Sequence, residues 1–435
     1  MEFIMILLTL LLCVYCYKID SCAYNPAAIY SLFWFCMMLL AWFQFYDIYE
    51  VSIEVYMLAF ISVSFFVMGH VINLMLRSRF NITRKVKYDI NIKMYYILLI
   101  VCIISLWQNY TLIGYVLSEG LSISSAYFLM ARAVVGQSEE LKEIYTDLGS
   151  QVQQYIGYPL LYLLIPTSIL LYYKSFKNKY LVIVLLLFLI RFLADFKRTL
   201  LVFIILFFVF YAILMRKNIS IAYQNNPLIG KKIKYFSIGL AIVLFAVFGV
   251  VSILRHNMPG DEYSLFQNFY YYYIGCLELL DIRISGWEGL NIDYTLGFTT
   301  FRGVIAPFIA IGKMIIGDEI STTFLDATYL VNSLHDYVVY ISPYHLYNTY
   351  TTSLFQFYCD GGYIGVCVLS FLYGAFVSIL YKDFCEVGDI RSVFRFGYIF
   401  CVFILFTNMH INSIVICYVW PLLLERLIYN RKYLN

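Results

Sequence analysis

The stretch KYLVIVLLLFLIRFLADFKRTLLVFIILFFVFYAIL, residues 179–214, consists of two apolar runs on either side of the charged turn ADFKR, residues 194–198. Each run approaches the roughly 20 residues that an α-helix needs to cross a hydrocarbon core of about 30 Å. Inside lipid, only a helix or a closed barrel satisfies every backbone hydrogen bond. The stretch therefore predicts two membrane-spanning helices, over 179–195 and 199–215.

Runs of the same kind recur along the whole chain. Of its 435 residues, 62% are hydrophobic and 13% are charged, whereas soluble domains are roughly 45–50% apolar. Further runs predict spans near 2–17, 26–46, 55–76, 94–117, 153–173, 234–254, 361–381, 394–409 and 412–428. We expect an all-α, polytopic integral membrane protein that forms a single membrane domain over 1–435, with about 11 (10–12) transmembrane helices.

Basic residues are concentrated in alternate loops, which the positive-inside rule assigns to the cytoplasm. They include Lys18, Arg77, Arg79, Arg84, Lys85, Lys174, Lys177, Arg216, Lys217, Lys231, Lys232, Lys382, Arg391 and Arg431. The intervening loops contain more acids, as in 118–152 with Glu139 and Glu140. This pattern predicts an N-terminus outside and a C-terminus inside the cell.

The longest of the acidic loops, 255–360, is predicted to be extracytoplasmic. A loop of this length is too long for a bare connector, so it is expected to contain structure of its own. Within it, FTTFRGVIAPFIAIGKMIIG, residues 298–317, is apolar but interrupted by Arg302, Pro307 and Lys313. This composition predicts a helix that lies on the membrane surface or re-enters it.

Several arginines fall on the predicted outer face, where the charge rule leads us to expect few cations. They are Arg191, Arg198, Arg255 and Arg302. A guanidinium group holds phosphate oxygens with two parallel hydrogen bonds and stays charged at physiological pH, which suits it to a lipid diphosphate. Three of them have a specific alternative role: Arg255 can satisfy helix carbonyls, Arg198 can anchor a helix at the interface, and Arg302 can extend its head towards water.

Aromatic and imidazole side chains in the same loop supply candidate sugar contacts and a candidate base. Tyr270, Tyr271 and Tyr272 can stack on sugar rings, or they can belong to an aromatic membrane belt. His335 and His345 can remove a proton from a sugar hydroxyl, or they can be structural. We find no P-loop or dinucleotide fingerprint, and the cysteines are scattered in apolar runs, so we expect no cofactor, no metal and no nucleic acid.

Four segments together carry a resemblance to a known family. They are NPAAIYSLFWFCMMLLAWFQFY at 25–46, FVMGHVI at 66–72, RTLLVFIILF at 198–207 and NTYTTSLFQFYCDGGYIGVCVLSFLYGAFVSILY at 348–381. In their order along the chain they resemble the O-antigen polymerases, membrane glycosyltransferases of bacteria. Members commonly show an aromatic, acid and glycine segment after the long loop, here Tyr358, Asp360, Gly361, Gly362 and Gly365.

One family pattern is not matched. Some polymerases have an arginine separated from a glycine by ten residues, whereas Arg302 and Gly312 have nine residues between them. No residue role is carried over from that motif.

The resemblance implies a multi-pass protein of the bacterial cytoplasmic (inner) membrane. Its implied activity is transfer of a growing glycan from undecaprenyl diphosphate to a new undecaprenyl-diphosphate-linked repeat unit, without a metal, and a chain-length regulator protein is an implied partner. On this hypothesis Arg198, Arg255, Arg302 and Arg191 bind the diphosphate, and His335 or His345 is the base. The alternatives are an O-antigen ligase, with another acceptor, and a flippase for the lipid-linked oligosaccharide, which is not an enzyme.

Overall fold

The computed structural model describes residues 1–22, 24–80, 87–120, 147–195, 199–225, 239, 265–289, 294–316, 339–343, 345–347, 352–404 and 415–432. The described chain is mostly helical, as the sequence predicts. Its helices are α1 (Glu2–Ile19), α2 (Pro26–Trp42), α3 (Ile53–Phe80), α4 (Ile92–Ser105), α5 (Trp107–Ser118), α6 (Asp147–Val152), α7 (Tyr158–Ser175), α8 (Lys179–Asp195), α9 (Thr199–Leu214), α10 (Arg216–Asn225), α11 (Leu265–Gly289), α12 (Arg302–Ile316), α13 (Ser353–Val387), α14 (Ile390–Ile399) and α15 (Val415–Ile428).

Short elements of other kinds complete the described structure. A 3₁₀ turn covers Phe45–Asp47, and π-helical turns cover Gln153–Gly157 and Phe400–Ile404. The strands are β1 (Lys87–Ile90), β2 (Val339–Tyr340), β3 (Leu346–Tyr347) and β4 (Tyr429–Lys432). Strand β1 pairs antiparallel with β4, and β2 pairs antiparallel with β3.

Within the described residues, four helical segments are long and apolar enough to cross a membrane: Glu2–Ile19, Ile53–Arg77, Gln153–Ser175 and Ser353–Val387. A fifth crossing is possible if α4 and α5, which meet at a bend of 46°, form one broken span. These helices give the chain the length and apolarity of a multi-pass membrane protein. The number of about 11 spans and their orientation stay predictions.

Other predicted spans differ from the structure in length or lie outside the described residues. Helix α2 is apolar but has 17 residues, which cover about 25 Å at 1.5 Å per residue and fall short of the hydrocarbon core. The segment Leu200–Leu214 is also apolar and short. The span predicted over 234–254 lies, apart from Gly239, outside the described residues.

The described residues form two compact units. The first unit contains those of Met1–Lys85, Tyr263–Gly388 and Val402–Val415. The second contains those of Val86–Glu262, Asp389–Cys401 and Ile416–Asn435. The single membrane domain stays a prediction.

In the first unit, α3 and α13 form the most extensive helix contact, and two glycines make it possible. A Cβ at Gly374 would lie 2.0 Å from the Phe66 carbonyl oxygen, and one at Gly69 would lie 2.1 Å from that of Phe371. Small residues at a helix crossing let two backbones approach closely where lipid supplies no hydrophobic driving force. The close approach allows Ser62 Oγ and Ser370 Oγ to hydrogen bond at 2.9 Å.

Ion pairs and a cation–π contact stabilise the second unit around α14 and α15. Glu425 is fully buried and pairs with Arg391 Nη2 at 3.0 Å and Arg395 Nη2 at 2.5 Å. The Arg391 guanidinium also lies over the Tyr88 ring, 4.3 Å from its centroid. The ion pairs thus join α14 to α15, and the Arg391–Tyr88 contact joins α14 to β1; removing one partner of the buried pairs would leave an uncompensated charge.

The glycine crossing generates a stability prediction. Gly374→Ala places a methyl group against helix backbone, which cannot rotate away, and overpacking of this kind costs about 1–3 kcal/mol. Gly114→Ala is the matched control, since a Cβ there meets nothing within 4 Å and Ala is the better helix former. Thermal unfolding in detergent is expected to show a lower Tm for Gly374→Ala and an unchanged or higher Tm for Gly114→Ala. Equal shifts for the two variants would contradict the close crossing.

Candidate functional site

The aromatic, acid and glycine segment forms a break within α13, in the first unit. Gly362 has φ +58° and ψ −143°, a backbone conformation that L-residues with a side chain rarely adopt. A Cβ at this position would also lie 2.7 Å from the Tyr294 hydroxyl oxygen. The helix break therefore requires glycine at position 362.

The carboxylate of Asp360, immediately before the break, holds the turn that leads into α12. Its Oδ1 accepts hydrogen bonds from Thr295 Oγ1 at 2.5 Å and from Thr299 N at 3.0 Å. Its Oδ2 accepts one from Thr300 N at 2.9 Å. The side chain is buried, with Asp360 4% exposed. We call this arrangement of Asp360, Thr295, Thr299 and Thr300 the Asp360 clamp.

Backbone bonds reinforce the clamp where the helix break frees carbonyl groups. Thr295 N donates to the Cys359 carbonyl oxygen at 3.0 Å, and Leu296 N donates to that of Asp360 at 3.1 Å. Broken helices inside a membrane protein persist only where other groups satisfy the freed backbone. Here backbone N–H groups of the turn before α12 donate to carbonyl oxygens freed by the break in α13. The Asp360 carboxylate in turn accepts hydrogen bonds from other N–H groups of that turn.

Arg302, a predicted diphosphate ligand, is the first residue of α12 and follows the clamped Thr300 by two positions. The same helix exposes Phe308 and Ile311, which are three residues apart and therefore share a face. Pro307 lies inside the helix without ending it. The clamp thus fixes the backbone from which Arg302 extends, and the interfacial placement of α12 stays a prediction.

Tyr270 and Tyr271, predicted to bind sugar, bond to the connection between α2 and α3. Tyr270 Oη donates to the Leu40 carbonyl oxygen at 2.7 Å, and Tyr271 Oη donates to that of Tyr46 at 2.6 Å. The connection includes Tyr46 at φ +59°, a strained conformation for a non-glycine residue that surrounding contacts must hold in place. Both tyrosines are buried, so they have a structural role here, and their contact with sugar stays a prediction.

His345, a predicted base, lies in the β2–β3 hairpin and is half-buried. Its imidazole stacks on the Tyr271 ring, with centroids 4.3 Å apart and planes at 14°. Its backbone N donates to Ser342 Oγ at 3.1 Å, and its carbonyl oxygen accepts from Ile341 N at 3.1 Å. The stack fixes the orientation of the ring, and the role of base stays a prediction.

Two acids on α11 were not singled out by sequence reasoning. Asp281 accepts hydrogen bonds from Ser52 N at 2.6 Å and Ser52 Oγ at 2.7 Å, just before α3 begins. Glu278 lies one turn earlier and is 5% exposed. Burial, together with the neighbouring charge of Asp281, raises the pKa of Glu278 to about 7. The only sequence signal was a pair of acids three residues apart in a largely apolar helix.

In the second unit, Arg191 lies near the end of α8 and is held by Tyr158. Its guanidinium carbon is 3.8 Å from the Tyr158 ring centroid, and its Nη1 donates a hydrogen bond to the Tyr158 hydroxyl. This geometry combines a cation–π contact with a directed hydrogen bond. Diphosphate binding by Arg191 stays a prediction.

The remaining predicted site residues cannot be placed. Arg198, Arg255 and His335 lie outside the described residues, and for Tyr272 the description covers the backbone but not the side chain. Among the described candidates, Arg302, His345, Tyr270 and Tyr271 belong to the first unit and Arg191 to the second.

No protein-family model, no curated protein and no solved structure matches this chain. The functional argument therefore depends on the residues of the chain itself, and the resemblance to the O-antigen polymerases stays a prediction.

The raised pKa of Glu278 generates a pH prediction. Because the folded carboxyl binds its proton more tightly than the unfolded one, this group stabilises the fold at low pH and the contribution is lost as pH rises through about 7. When Glu278 ionises, the free energy of unfolding falls by up to about 3 kcal/mol. Glu278→Gln cannot ionise, so this variant is expected to have a higher Tm than the unmodified chain at pH 8 but not at pH 5. Exposed Glu50 supplies the control variant Glu50→Gln. A pH-independent effect of Glu278→Gln would contradict the burial of an ionisable group here.

Proposed function

We propose that the chain polymerises lipid-linked oligosaccharide repeat units on the outer side of a bacterial cytoplasmic membrane. It transfers the growing glycan from undecaprenyl diphosphate to a hydroxyl of a new undecaprenyl-diphosphate-linked repeat unit. The observation that carries the proposal is the position of Arg302, at the start of an amphipathic helix whose preceding turn is held by the Asp360 clamp.

The reaction exchanges one bond to the anomeric carbon for another. The bond from that carbon to the diphosphate oxygen breaks, and its electron pair leaves with the diphosphate. The acceptor hydroxyl oxygen forms the new bond and gives its proton to a base. Positive charge develops on the sugar ring and negative charge on the departing diphosphate, so no nucleotide is needed to drive the step.

Arg302 is suited to receive the charge on the diphosphate. A guanidinium group that is already oriented stabilises developing charge without reorganising during the reaction. The Asp360 clamp supplies part of that orientation, because it fixes the backbone amides of Thr299 and Thr300. An arginine that only extends towards water has no need of a buried carboxylate that fixes the turn before it.

The apolar face of α12 supports the choice of a lipid-linked substrate. Phe308 and Ile311 are 61% and 54% exposed, and an exposed apolar helix face is typical of helices that lie at the headgroup level. A helix in that position places Arg302 at the depth of a lipid diphosphate. His345, oriented by its stack on Tyr271, is the described candidate for the base.

Arg302 generates the test of this function. In cells that lack their own copy, Arg302→Ala is expected to reduce chain extension by on the order of 10²-fold, because one group that stabilises the transition state is lost. The lipopolysaccharide ladder then loses its long chains and retains a single repeat unit on the core. Arg302→Lys keeps the charge without the paired donors and is expected to give short chains.

Exposed Arg426 supplies the matched control, and Arg426→Ala is expected to leave the ladder unchanged. The amount of each variant in the membrane fraction is measured by immunoblotting. Loss of even the single unit from cells with Arg302→Ala would point to a ligase or a flippase. A full ladder of long chains from cells with Arg302→Ala would show that Arg302 takes no part in the reaction.

A further inference from the structure

A buried polar cluster lies in the second unit, where four helical elements meet. Asn109 comes from α5, Gln153 from the π-helical turn, Tyr158 from α7 and Arg191 from α8. Gln153 Nε2 donates hydrogen bonds to Asn109 Oδ1 and to the Tyr158 hydroxyl. We call Asn109, Gln153 and Tyr158, with Arg191 against the tyrosine, the amide cluster.

The backbone around the amide cluster is irregular on two sides. Helices α4 and α5 meet at Leu106 with a bend of 46°, and the turn Gln153–Gly157 is π-helical. Irregular helices at membrane depth are tolerated where they are buried in protein or line a polar cavity, and π-helical turns are frequent at functional sites. Close packing maintains the arrangement, because a Cβ at Gly157 would lie 2.9 Å from Leu106 Cδ2.

The two amides of the cluster leave one donor and one acceptor without a partner. Asn109 and Gln153 are each 1% exposed. Among the described residues, neither Asn109 Nδ2 nor Gln153 Oε1 has a hydrogen-bond partner. A buried polar atom without a partner costs about 1–3 kcal/mol, so such a pair indicates a ligand or an ordered water.

This result does not depend on how the amide atoms are assigned. Oxygen and nitrogen of an amide are commonly exchanged in coordinates. Exchanging them in both residues makes Gln153 the acceptor, with Asn109 and the Tyr158 hydroxyl as donors, and it again leaves one NH2 group and one carbonyl oxygen unused. Exchanging them in one residue only would place like atoms against each other.

A sugar hydroxyl has the hydrogen-bonding chemistry that the unused donor of Asn109 and the unused acceptor of Gln153 require. A hydroxyl both donates and accepts, so its chemistry complements an unused donor and an unused acceptor, whereas a phosphate oxygen is repelled by a bare carbonyl oxygen. The residues of the cluster lie in the halves of the spans 94–117, 153–173 and 179–195 that the sequence predicts to be nearer the outer face. That is the side on which the proposed reaction takes place.

We propose that the amide cluster is a glycan subsite, in which Asn109 and Gln153 bind one hydroxyl group of the lipid-linked repeat unit. The inference rests on the proposed function, since it assigns part of that substrate to these residues. A site built to bond a hydroxyl discriminates strongly against a ligand that lacks it, because the polar groups are then left unpaired.

Binding to two lipids tests the subsite. The first probe is the undecaprenyl-diphosphate-linked repeat unit purified from cells that lack this chain, and the second is undecaprenyl diphosphate without sugar. The purified full chain in nanodiscs is expected to bind the first probe more tightly. Asn109→Leu and Gln153→Leu are each expected to weaken binding of the first probe about tenfold, as for one lost hydrogen-bonded group, and to leave binding of the second unchanged.

Unchanged binding of the second probe also shows that a variant is folded. If Asn109→Leu does not bind the second probe normally, Asn109→Ala, which introduces a smaller side chain, is used in its place. Exposed Asn218 supplies the control Asn218→Leu, which is expected to bind both probes normally. If the variants keep the full preference for the sugar-linked probe, the cluster holds a structural water only and the inference is overturned. That outcome leaves the polymerase proposal intact, because the ladder from Arg302→Ala is measured independently.

Discussion

The Asp360 carboxylate is the interaction on which the described part of the long loop depends. A buried carboxylate is costly unless hydrogen bonds replace its water, and this one receives three from a single turn. If the turn moved away, the buried carboxylate would lose these hydrogen bonds. The start of α12 is therefore coupled to the break in α13, although about 60 residues separate them along the chain.

The same physical rule accounts for the polar cluster in the other unit. Lipid supplies no hydrogen bonds, so each interruption of a helix needs compensation from side chains or from another segment. At Gly361–Gly362 the carbonyl oxygens of Cys359 and Asp360 accept hydrogen bonds from the backbone of Thr295 and Leu296, so the break and the turn before α12 hold each other. Beside Leu106 and the π-helical turn, the side-chain amides of Asn109 and Gln153 each retain one atom that has no hydrogen-bond partner among the described residues. The first break supports the turn before α12, and the ligand-binding role of the second stays a proposal.

Much of the helical structure was predictable, because apolar length is a local property. The spans predicted over 2–17 and 55–76 agree closely with Glu2–Ile19 and Ile53–Arg77. The bend at Leu106 was not predictable, because the sequence does not show that Gly157 packs against that position. Likewise, the sequence marked the acid and glycines at 360–362 as a motif, but only the fold shows which turn the acid holds.

The candidate site was less predictable than the helices. Tyr270 and Tyr271 were chosen for their rings, yet their hydroxyl groups hold a strained connection between α2 and α3. Asn109 and Gln153 were overlooked, since uncharged amides in apolar runs give no sequence signal until the fold brings them together. Charge is visible in a sequence, whereas an unpaired hydrogen-bonding atom becomes visible only when its neighbours are known.

The most direct test of the account is amide hydrogen exchange at Thr299 and Thr300 in the purified chain. The account predicts slow exchange of both amides, because they donate to a buried carboxylate, and fast exchange of both in Asp360→Ala, while the amides of α3 stay protected in each protein. Fast exchange of Thr299 and Thr300 in the unmodified chain, or equally slow exchange in Asp360→Ala, would contradict the account.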